Sequence, residues 1–328
     1  MINDNFKQKK IYVAPMLDWT DRHCRFFHRL LSPNAVLYTE MITTGAIIHG
    51  DTAKHLTYNE EEHPLVLQVG GSEPRDLEHC AKIAKQYNYD EINLNCGCPS
   101  ERVQKGSFGA CLMREAKLVG QCFTAMKQSG LEVSIKHRIG IDDINDYEFL
   151  YDFVNELHES GCRKFIVHAR NAVLKGLSPK QNREIPPLKY DYVYRLKADF
   201  PQAHITVNGG INNIPDILIH LKNADAVMLG RSAYHTPYIL NEIDNYIYND
   251  RIILKDEIIE KLCDYSVEQF KKGVYIGAII KHILGLYHGQ KNSRLWRQHF
   301  SNSVLLKKIQ NYQDIIEFFN QAGKLLLA

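Results

Sequence analysis

The chain has 328 residues, a formal net charge of +2 and 45% hydrophobic side chains, which is enough apolar material for a large folded core. It contains no run of about 18 apolar residues, so a membrane-spanning helix is excluded. Its start, MINDNFKQKK, is polar and lacks the apolar region of a secretory signal peptide. We therefore expect a soluble, cytoplasmic protein.

The eight cysteines, at positions 24, 80, 96, 98, 111, 122, 162 and 263, are scattered along the chain. Without a secretory signal, this distribution indicates free thiols rather than a disulfide framework. There is no CxxC pair, and Cys96 and Cys98 have no second cluster of cysteine or histidine at zinc-ligand spacing. We expect no metal site.

Short apolar segments alternate with helical ones over the first 230 residues. The predicted strands are 11–16, 35–39, 65–69, 91–95, 133–137, 164–168, 205–208 and 226–229. The predicted helices are 20–31, 74–86, 116–129, 147–159, 191–200 and 214–221. Asp18 is placed to cap the first of these helices.

Eight strands separated by helical segments favour an α/β fold of the (β/α)8 TIM-barrel type over an open doubly wound sheet. A flavodoxin-like or Rossmann arrangement remains an alternative on the pattern alone. However, no GxGxxG motif follows the first strand, which removes the main sequence signal for a Rossmann fold.

After Tyr246 the strand pattern stops, and helices are predicted over 258–270, 276–287 and 304–327. The sequence thus predicts two domains, a barrel over 1–246 and a helical domain over 247–328. Residues 271–308 contain eight Lys or Arg residues and no Asp or Glu, with four aromatic residues among them, Tyr275, Tyr287, Trp296 and Phe300. This stretch is either an ordinary solvated helical face with buried aromatics or a surface for a nucleic-acid backbone.

In a TIM barrel, chemically useful residues lie at the carboxyl ends of the strands. Polar or functional residues follow most of the predicted strands, namely Met16, Gln68, Asn93, Asn95, Lys136, Arg138, His168, Asn208, Gly230 and Arg231. Because they come from different strands and converge on one mouth, they predict a functional site there.

The last two strands end in Asn208-Gly209-Gly210 and in Gly230-Arg231. Loops at these positions of a barrel commonly hold a phosphate through backbone N–H groups, and glycine lets the backbone approach closely. The alternative is that these glycines only form tight turns. Two such sites on neighbouring strands favour a phosphate-bearing substrate or cofactor.

Three further side chains are candidates for chemistry. Lys136 is suited to a Schiff base, an ion pair or the stabilisation of negative charge. His168 is suited to proton transfer or phosphate contact, and equally to a core position. Cys98 lies in a Gly-Cys-Pro turn after a strand, which favours a reactive thiol or thiol acid over a buried structural cysteine.

Taken together, these motifs resemble the tRNA-dihydrouridine synthase family. The resemblance rests on Asn93-Leu94-Asn95, Gly97-Cys98-Pro99, Ala14-Pro15-Met16, Lys136, His168-Ala169-Arg170, Asn208-Gly209-Gly210 and Gly230-Arg231. The segments VAPMLDWTDRHCR at 13–25, TEMITTGAIIHGD at 39–51 and GLSPKQNREIPPL at 176–188 are similar to the bacterial A-type subfamily, which modifies positions 20 and 20a of the tRNA D-loop.

The resemblance implies an FMN-dependent, NADPH-consuming reductase that saturates the C5–C6 bond of uridine. Hydride would pass from reduced FMN to C6, and Cys98 would protonate C5. The implied FMN-binding residues are Pro15, Met16, Leu17, Gln68, Lys136, His168, Asn208, Gly209, Gly210, Gly230 and Arg231. The implied tRNA contacts are Asn95, Lys180, Arg183, Arg294 and Arg297.

Two other functions remain open from the sequence. One is an FMN barrel that acts on a free pyrimidine, as dihydroorotate or dihydropyrimidine dehydrogenases do, and the other is a non-catalytic RNA-binding protein. We expect a monomer without an obligate protein partner. Cys96 departs from the family pattern, in which a small apolar residue is usual at this position.

Overall fold

The computed structural model describes residues 6–327, apart from the side chains of Arg102, Lys105 and Leu327. The chain forms two compact units. The barrel unit consists of Lys9–Thr20 and Val36–Gly230, and the helical unit consists of 6–8, Asp21–Ala35 and 231–327. The helical unit is therefore built from segments that are far apart in the sequence.

Eight parallel strands close into a barrel in chain order, and the first strand pairs with the eighth. The strands are β1 Lys10–Val13, β2 Val36–Thr43, β3 Leu65–Gly70, β4 Glu91–Cys96, β5 Glu132–Arg138, β6 Lys164–His168, β7 His204–Asn208 and β8 Ala226–Leu229. Each overlaps a predicted strand, and the predicted TIM barrel is confirmed.

Sixteen α-helices are found among residues 6–327. They are α1 Arg22–Leu31, α2 Thr44–His49, α3 Thr52–Leu56, α4 Pro74–Gln86, α5 Glu101–Lys105, α6 Ala116–Lys127, α7 Tyr147–Glu159, α8 Tyr190–Asp199, α9 Ile214–Asn223, α10 Arg231–His235, α11 Ile239–Tyr248, α12 Lys255–Lys271, α13 Gly277–Ile280, α14 Ser293–Phe300, α15 Ser303–Lys307 and α16 Tyr312–Leu327. None of them is long and apolar enough to cross a membrane.

The barrel strands are buried on both faces, as expected for a parallel sheet covered by helices. Strand β4 is buried along its whole length although its sequence, EINLNC, is half polar. Its register pairs Asn93 with both Gln68 of β3 and Ser134 of β5, and pairs Asn95 with Lys136. The polar residues of three neighbouring strands are therefore side by side.

The first helix begins differently from the prediction. Asp21, rather than Asp18, caps α1, because its carboxylate accepts hydrogen bonds from the backbone N–H groups of His23 and Cys24, both at 3.0 Å. Asp18 has a φ of 64° and belongs to the turn in which Thr20 donates its N–H to the Met16 carbonyl. The prediction that Asp18 caps this helix is wrong.

The helical unit differs most from the predicted elements. Of the helix predicted over 276–287 only α13 forms, and Gly285 beyond it lies so close to the His235 carbonyl oxygen that a Cβ atom there would be 2.4 Å away. The helix predicted over 304–327 is interrupted between α15 and α16, where Asn311 accepts hydrogen bonds from the N–H groups of Gln313 and Asp314 as an N-cap does. Helix α14 was not predicted.

The predicted domain boundary after residue 246 falls inside α11. By contacts, the helical unit begins at Arg231 and also takes in Asp21–Ala35. The assignment of 1–246 to cofactor binding and 247–328 to tRNA binding stays a prediction.

Candidate active site

The predicted site residues of the barrel unit lie at the carboxyl ends of the strands, as the sequence indicates. In β5, alternation places Lys136 and Arg138 on the same face as Ser134. His168 of β6 is aligned with Asn208 of β7. Side chains from strands β3 to β7 therefore share one end of the barrel.

Cys98 follows β4 in a turn whose backbone is fixed from two sides. The Oδ1 atom of Asn95 accepts hydrogen bonds from the N–H groups of Gly97 at 3.1 Å and Cys98 at 2.9 Å. The Cys98 carbonyl accepts a hydrogen bond from Ala110 N–H at 2.9 Å. Its half-buried thiol lies 3.6 Å from the Ser100 hydroxyl oxygen. The turn thus presents a thiol that is accessible and held in place.

The neighbouring thiol, Cys96, has a different environment. It is fully buried, and this burial raises its pKa well above the usual value for cysteine. The other two partly exposed thiols, Cys111 and Cys263, also have their pKa raised by burial, that of Cys263 to about 11. Cys96 therefore packs as a small hydrophobic residue.

Lys136 donates a hydrogen bond to Oδ1 of Asn208 at 3.1 Å. The Asn208 amide is oriented by its own Nδ2 group, which donates to the Met228 carbonyl at 2.8 Å. Desolvation, together with the charge of Arg138, lowers the pKa of Lys136 to about 7. A lysine in this state gains a proton readily when an anion binds nearby.

His168 is buried, and among the described residues its Nδ1 atom has no hydrogen-bond partner. Its pKa is held well below the usual value, first by burial and then by the positive charges of Arg138, Lys136, Arg170 and Arg183. A neutral histidine with an unpartnered ring nitrogen amid four cations is a site in which an anion is favoured.

The turn after β7 approaches this histidine closely. Gly209 and Gly210 have φ angles of 111° and 73°, a conformation that favours glycine. A Cβ atom at Gly209 would lie 3.2 Å from His168 Nε2, and one at Gly210 would lie 2.6 Å from Leu188. A Cβ atom at Gly230 would meet nothing within 4 Å. The glycines, the unpartnered imidazole and the cations fit a phosphate group.

The segment after β1 supplies an apolar surface. Met16 packs against the barrel core, Pro15 is half-buried, and Leu17 is 63% exposed. Gln68 of β3 is fully buried and donates to Asn93 Oδ1 at 2.7 Å. An apolar edge next to a strand-borne amide is suited to a flat heteroaromatic ring.

Arg138 is a functional candidate that the sequence places at a strand end without assigning it a role. Its guanidinium is buried and donates to the carbonyls of Gly97 at 3.2 Å, Asn171 at 3.3 Å and Asn182 at 3.0 Å. It therefore joins the turn of Cys98 to the loop after β6. The sequence signal for a role of Arg138 is its position two residues after Lys136, on the same face of the strand.

The loop after β6 also carries Lys180 and Arg183, which are both exposed. In the helical unit, Arg231 is the first residue of α10, and Arg294 and Arg297 are exposed on α14. All eight basic residues of 271–308 are exposed.

The aromatic residues of the same stretch divide into two groups. Tyr275 is 61% exposed, whereas Tyr287, Trp296 and Phe300 are buried. The basic surface proposed from the sequence therefore has Tyr275 as its exposed ring, and the other three rings form the core beneath it.

A family model described as Dihydrouridine synthase (Dus) matches residues 12–322. A protein from Vibrio parahaemolyticus serotype O3:K6 named tRNA-dihydrouridine(20/20a) synthase is 53% identical over 299 residues, covering 90% of this chain and 91% of its own length. A protein of the same name from Yersinia pestis is 52% identical over 300 residues, covering 90% of this chain and 87% of its own length.

Two solved structures share the fold. An old yellow enzyme homologue from Zymomonas mobilis aligns with a TM-score of 0.53 at 8% identity, over 76% of this chain and 92% of its own. Morphinone reductase in complex with tetrahydroNAD aligns with a TM-score of 0.51 at 10% identity, over 74% of this chain and 88% of its own. At such low identity the likeness concerns the barrel alone. The family match and the curated relatives go further, and the chain is an enzyme of the dihydrouridine synthase family.

Proposed function

We propose that this protein catalyses the FMN-dependent, NADPH-consuming reduction of uridine to 5,6-dihydrouridine at positions 20 and 20a of the tRNA D-loop. The positions are those in the names of its relatives, tRNA-dihydrouridine(20/20a) synthases. We place the reaction in the cytoplasm and assign it to a monomer. The free-pyrimidine and non-catalytic alternatives have no observation in their favour.

The observation that supports a phosphate-bearing cofactor best is the close approach of the glycine turn to the His168 ring, whose Nδ1 atom has no hydrogen-bond partner among the described residues. An FMN phosphate at this place would accept hydrogen bonds from the turn's backbone N–H groups and from a positively charged side chain. The residues we assign to FMN are Pro15, Met16, Leu17, Gln68, Lys136, His168, Asn208, Gly209, Gly210, Gly230 and Arg231. Lys136 would stabilise negative charge on the flavin ring, which is consistent with its readiness to gain a proton.

When bound and reduced, FMN supplies the hydride that is added to C6 of uracil. The electron pair of the C5–C6 double bond then moves to C5 and the O4 carbonyl. The Cys98 thiol donates its proton to C5, which completes the saturated bond and leaves a thiolate. The fixed backbone of Cys98 holds the sulfur in one place for this transfer.

Asn95 is assigned to the substrate base. Its Oδ1 atom is engaged by two backbone N–H groups, and one proton of its Nδ2 group is donated to Gln68 Oε1 at 2.9 Å. One N–H therefore remains for a uracil carbonyl. This limits the role of Asn95 to that of a donor.

Uridine in the folded D-loop must leave its stack to reach the barrel, at a cost of a few kcal/mol. Contacts with the phosphate backbone offset this cost. We assign these contacts to Lys180 and Arg183 in the barrel unit and to Arg294 and Arg297 in the helical unit, all of which are exposed.

The proposal is tested by mapping dihydrouridine in tRNA from cells that lack this protein. We expect loss at positions 20 and 20a alone, with recovery on complementation by the wild-type gene. Unchanged dihydrouridine at both positions would contradict the proposal. The purified protein should carry FMN and oxidise NADPH, and a parallel assay with NADH measures the preference between the two reductants.

A further inference from the structure

A continuous series of buried hydrogen bonds runs inside the barrel along β4, from its first residue to the turn of Cys98. At the lower end, Glu91 forms an ion pair with Lys164 and accepts a hydrogen bond from the Ser134 hydroxyl. The Nδ2 group of Asn93 donates to the Ser134 oxygen at 2.7 Å. These groups are buried, and both Asn93 and Ser134 are inaccessible to solvent.

The series continues upward through two more amides. Gln68 donates through Nε2 to Asn93 Oδ1 at 2.7 Å, and Asn95 donates through Nδ2 to Gln68 Oε1 at 2.9 Å. The Asn95 Oδ1 atom then accepts the N–H groups of Gly97 and Cys98. Every donor in the series therefore points toward Glu91.

The direction of the series has a chemical cause. A carboxylate is only an acceptor, so the Ser134 hydroxyl proton must point to Glu91 and its oxygen must accept. Asn93 must then turn its NH2 group toward Ser134 and its carbonyl toward Gln68. Gln68 must in turn direct its NH2 group toward Asn93 and its carbonyl toward Asn95. Asn95 then directs its NH2 group toward Gln68 and its carbonyl toward the turn of Cys98. Rotating any of these amides by 180° would place donor against donor on one side of it and acceptor against acceptor on the other.

We propose that Glu91 and Ser134 are positioning residues for the reaction: the Glu91 carboxylate fixes, through Ser134, the orientation of the Asn93, Gln68 and Asn95 amides and thereby holds the turn that presents Cys98. The effect of this positioning on catalysis rests on the proposed function, in which Cys98 donates the proton, Gln68 contacts the flavin and Asn95 contacts the uracil. None of these positioning residues touches the substrate itself.

The test uses hydrogen exchange of the Gly97 and Cys98 backbone amides in the full-length protein. Ser134→Ala breaks the series while leaving the Glu91–Lys164 ion pair in place. We expect exchange at these two amides to accelerate about tenfold, because Asn93 loses its acceptor and Glu91 no longer fixes the orientation of the Asn93, Gln68 and Asn95 amides. The matched control is Tyr38→Phe, since the buried Tyr38 hydroxyl also donates to Glu91, at 3.5 Å, but is not a link between Glu91 and the amides. In this variant the Gly97 and Cys98 amides should exchange at a rate within about twofold of that in the wild type.

Two further variants separate positioning from general loosening. Ser134→Thr keeps the hydroxyl and should restore slow exchange. Glu91→Gln places an amide at position 91 that can donate as well as accept, so the Ser134 hydroxyl proton is no longer forced to point toward this residue. The orientation of the amides is then not fixed, and exchange at the Gly97 amide should again accelerate. The Glu91→Gln variant also keeps the proposal testable if Ser134→Ala does not fold.

Wild-type exchange rates in folded Ser134→Ala or in Glu91→Gln, or equal acceleration in Tyr38→Phe, would overturn the inference. In turnover assays we expect Ser134→Ala to reduce uridine about tenfold more slowly while the thermal stability matches that of Tyr38→Phe. The exchange measurement requires no activity. A wild-type protein that leaves tRNA unmodified would therefore refute the proposed function separately.

Discussion

The interior of the barrel has two sides of opposite character. One side is an apolar cluster to which β1, β2, β3, β6 and β8 contribute, consisting of Tyr12, Ala14, Val36, Tyr38, Val66, Ile166, Ala226 and Met228. The other side, on β3, β4 and β5, is lined by the amides, hydroxyl and carboxylate of the hydrogen-bonded series that ends at Glu91. Apolar packing supplies free energy of folding without direction, whereas a satisfied polar series fixes the orientation of each member. We infer that the first side stabilises the barrel and the second positions the site.

The sharpest test of the polar side is the thiol at its upper end. Cys98→Ala should lower the rate of uridine reduction by at least about 100-fold, the usual contribution of a positioned proton donor. FMN binding and flavin reduction by NADPH should be retained, because the thiol is not among the residues assigned to FMN. Single-turnover kinetics with tRNA and with NADPH separate the two half-reactions. Cys96→Ala is the matched control, since Cys96 is buried, and a normal rate of tRNA reduction in Cys98→Ala would refute the proton-donor role.

The apolar side should respond in stability rather than in chemistry. Ile166→Ala removes a fully buried side chain from the cluster and should destabilise the protein by about 2–5 kcal/mol. The shift in the urea midpoint measures this loss. Under native conditions the exchange of the Cys98 amide relative to wild type should change less than in Ser134→Ala. Greater loosening of that turn by Ile166→Ala would show that the two sides are not distinct.

Lys136 lies between the polar side and the site that fits a phosphate at His168 and the glycine turn. Its pKa of about 7 predicts the sign of the pH dependence of FMN affinity. An anion binds better to the protonated lysine, so FMN affinity should fall as pH rises through this pKa. The protonated fraction of Lys136, and with it the affinity, falls as the pH rises above about 7. Fluorescence titration of the apoprotein with FMN measures the change. In Lys136→Met this part of the pH dependence should vanish, and an unchanged slope would contradict the assignment.

The smallest effect is expected outside the barrel, on the exposed face of α14. Arg294→Ala should weaken tRNA binding a few-fold and reduce the slope of log affinity against log salt by about one. Filter binding at several salt concentrations measures both. Lys222→Ala, an exposed lysine on α9 of the barrel unit, is the control. A salt slope that is unchanged in Arg294→Ala but reduced in Lys222→Ala would place the RNA surface elsewhere.

The sequence predicts the barrel well because most strands are short apolar runs, or alternate apolar and polar residues as β4 does, and are followed by polar or glycine residues, which is a local signal. It predicts the strand-end residues for the same reason. The hydrogen-bonded series could not be predicted, because it depends on which residue of β3 faces which residue of β4. The sequence places Arg138 at a strand end but does not reveal its role, because two of the carbonyls to which it donates belong to residues 41 and 44 positions away.

The helical unit was predicted less well. Trp296 and Phe300 are spaced as neighbours on one helix face, yet spacing alone does not tell an exposed face from a buried one. Both are buried, and the Trp296 indole donates to the Ile283 carbonyl at 3.1 Å. The cap at Asn311 that separates α15 from α16 uses polar side chains that also occur inside helices, so the interruption gave little warning.

The discontinuous helical unit has a consequence for synthesis on the ribosome. Helix α1 buries Phe26 against Tyr265, with the rings stacked at 3.8 Å, and its cap Asp21 lies within hydrogen-bond distance of His282 Nε2, at 2.9 Å. These partners follow α1 by more than 200 residues. At about 5–20 residues per second they emerge roughly 12–50 s later. During that interval the nascent chain carries the apolar face of α1 without these two partners.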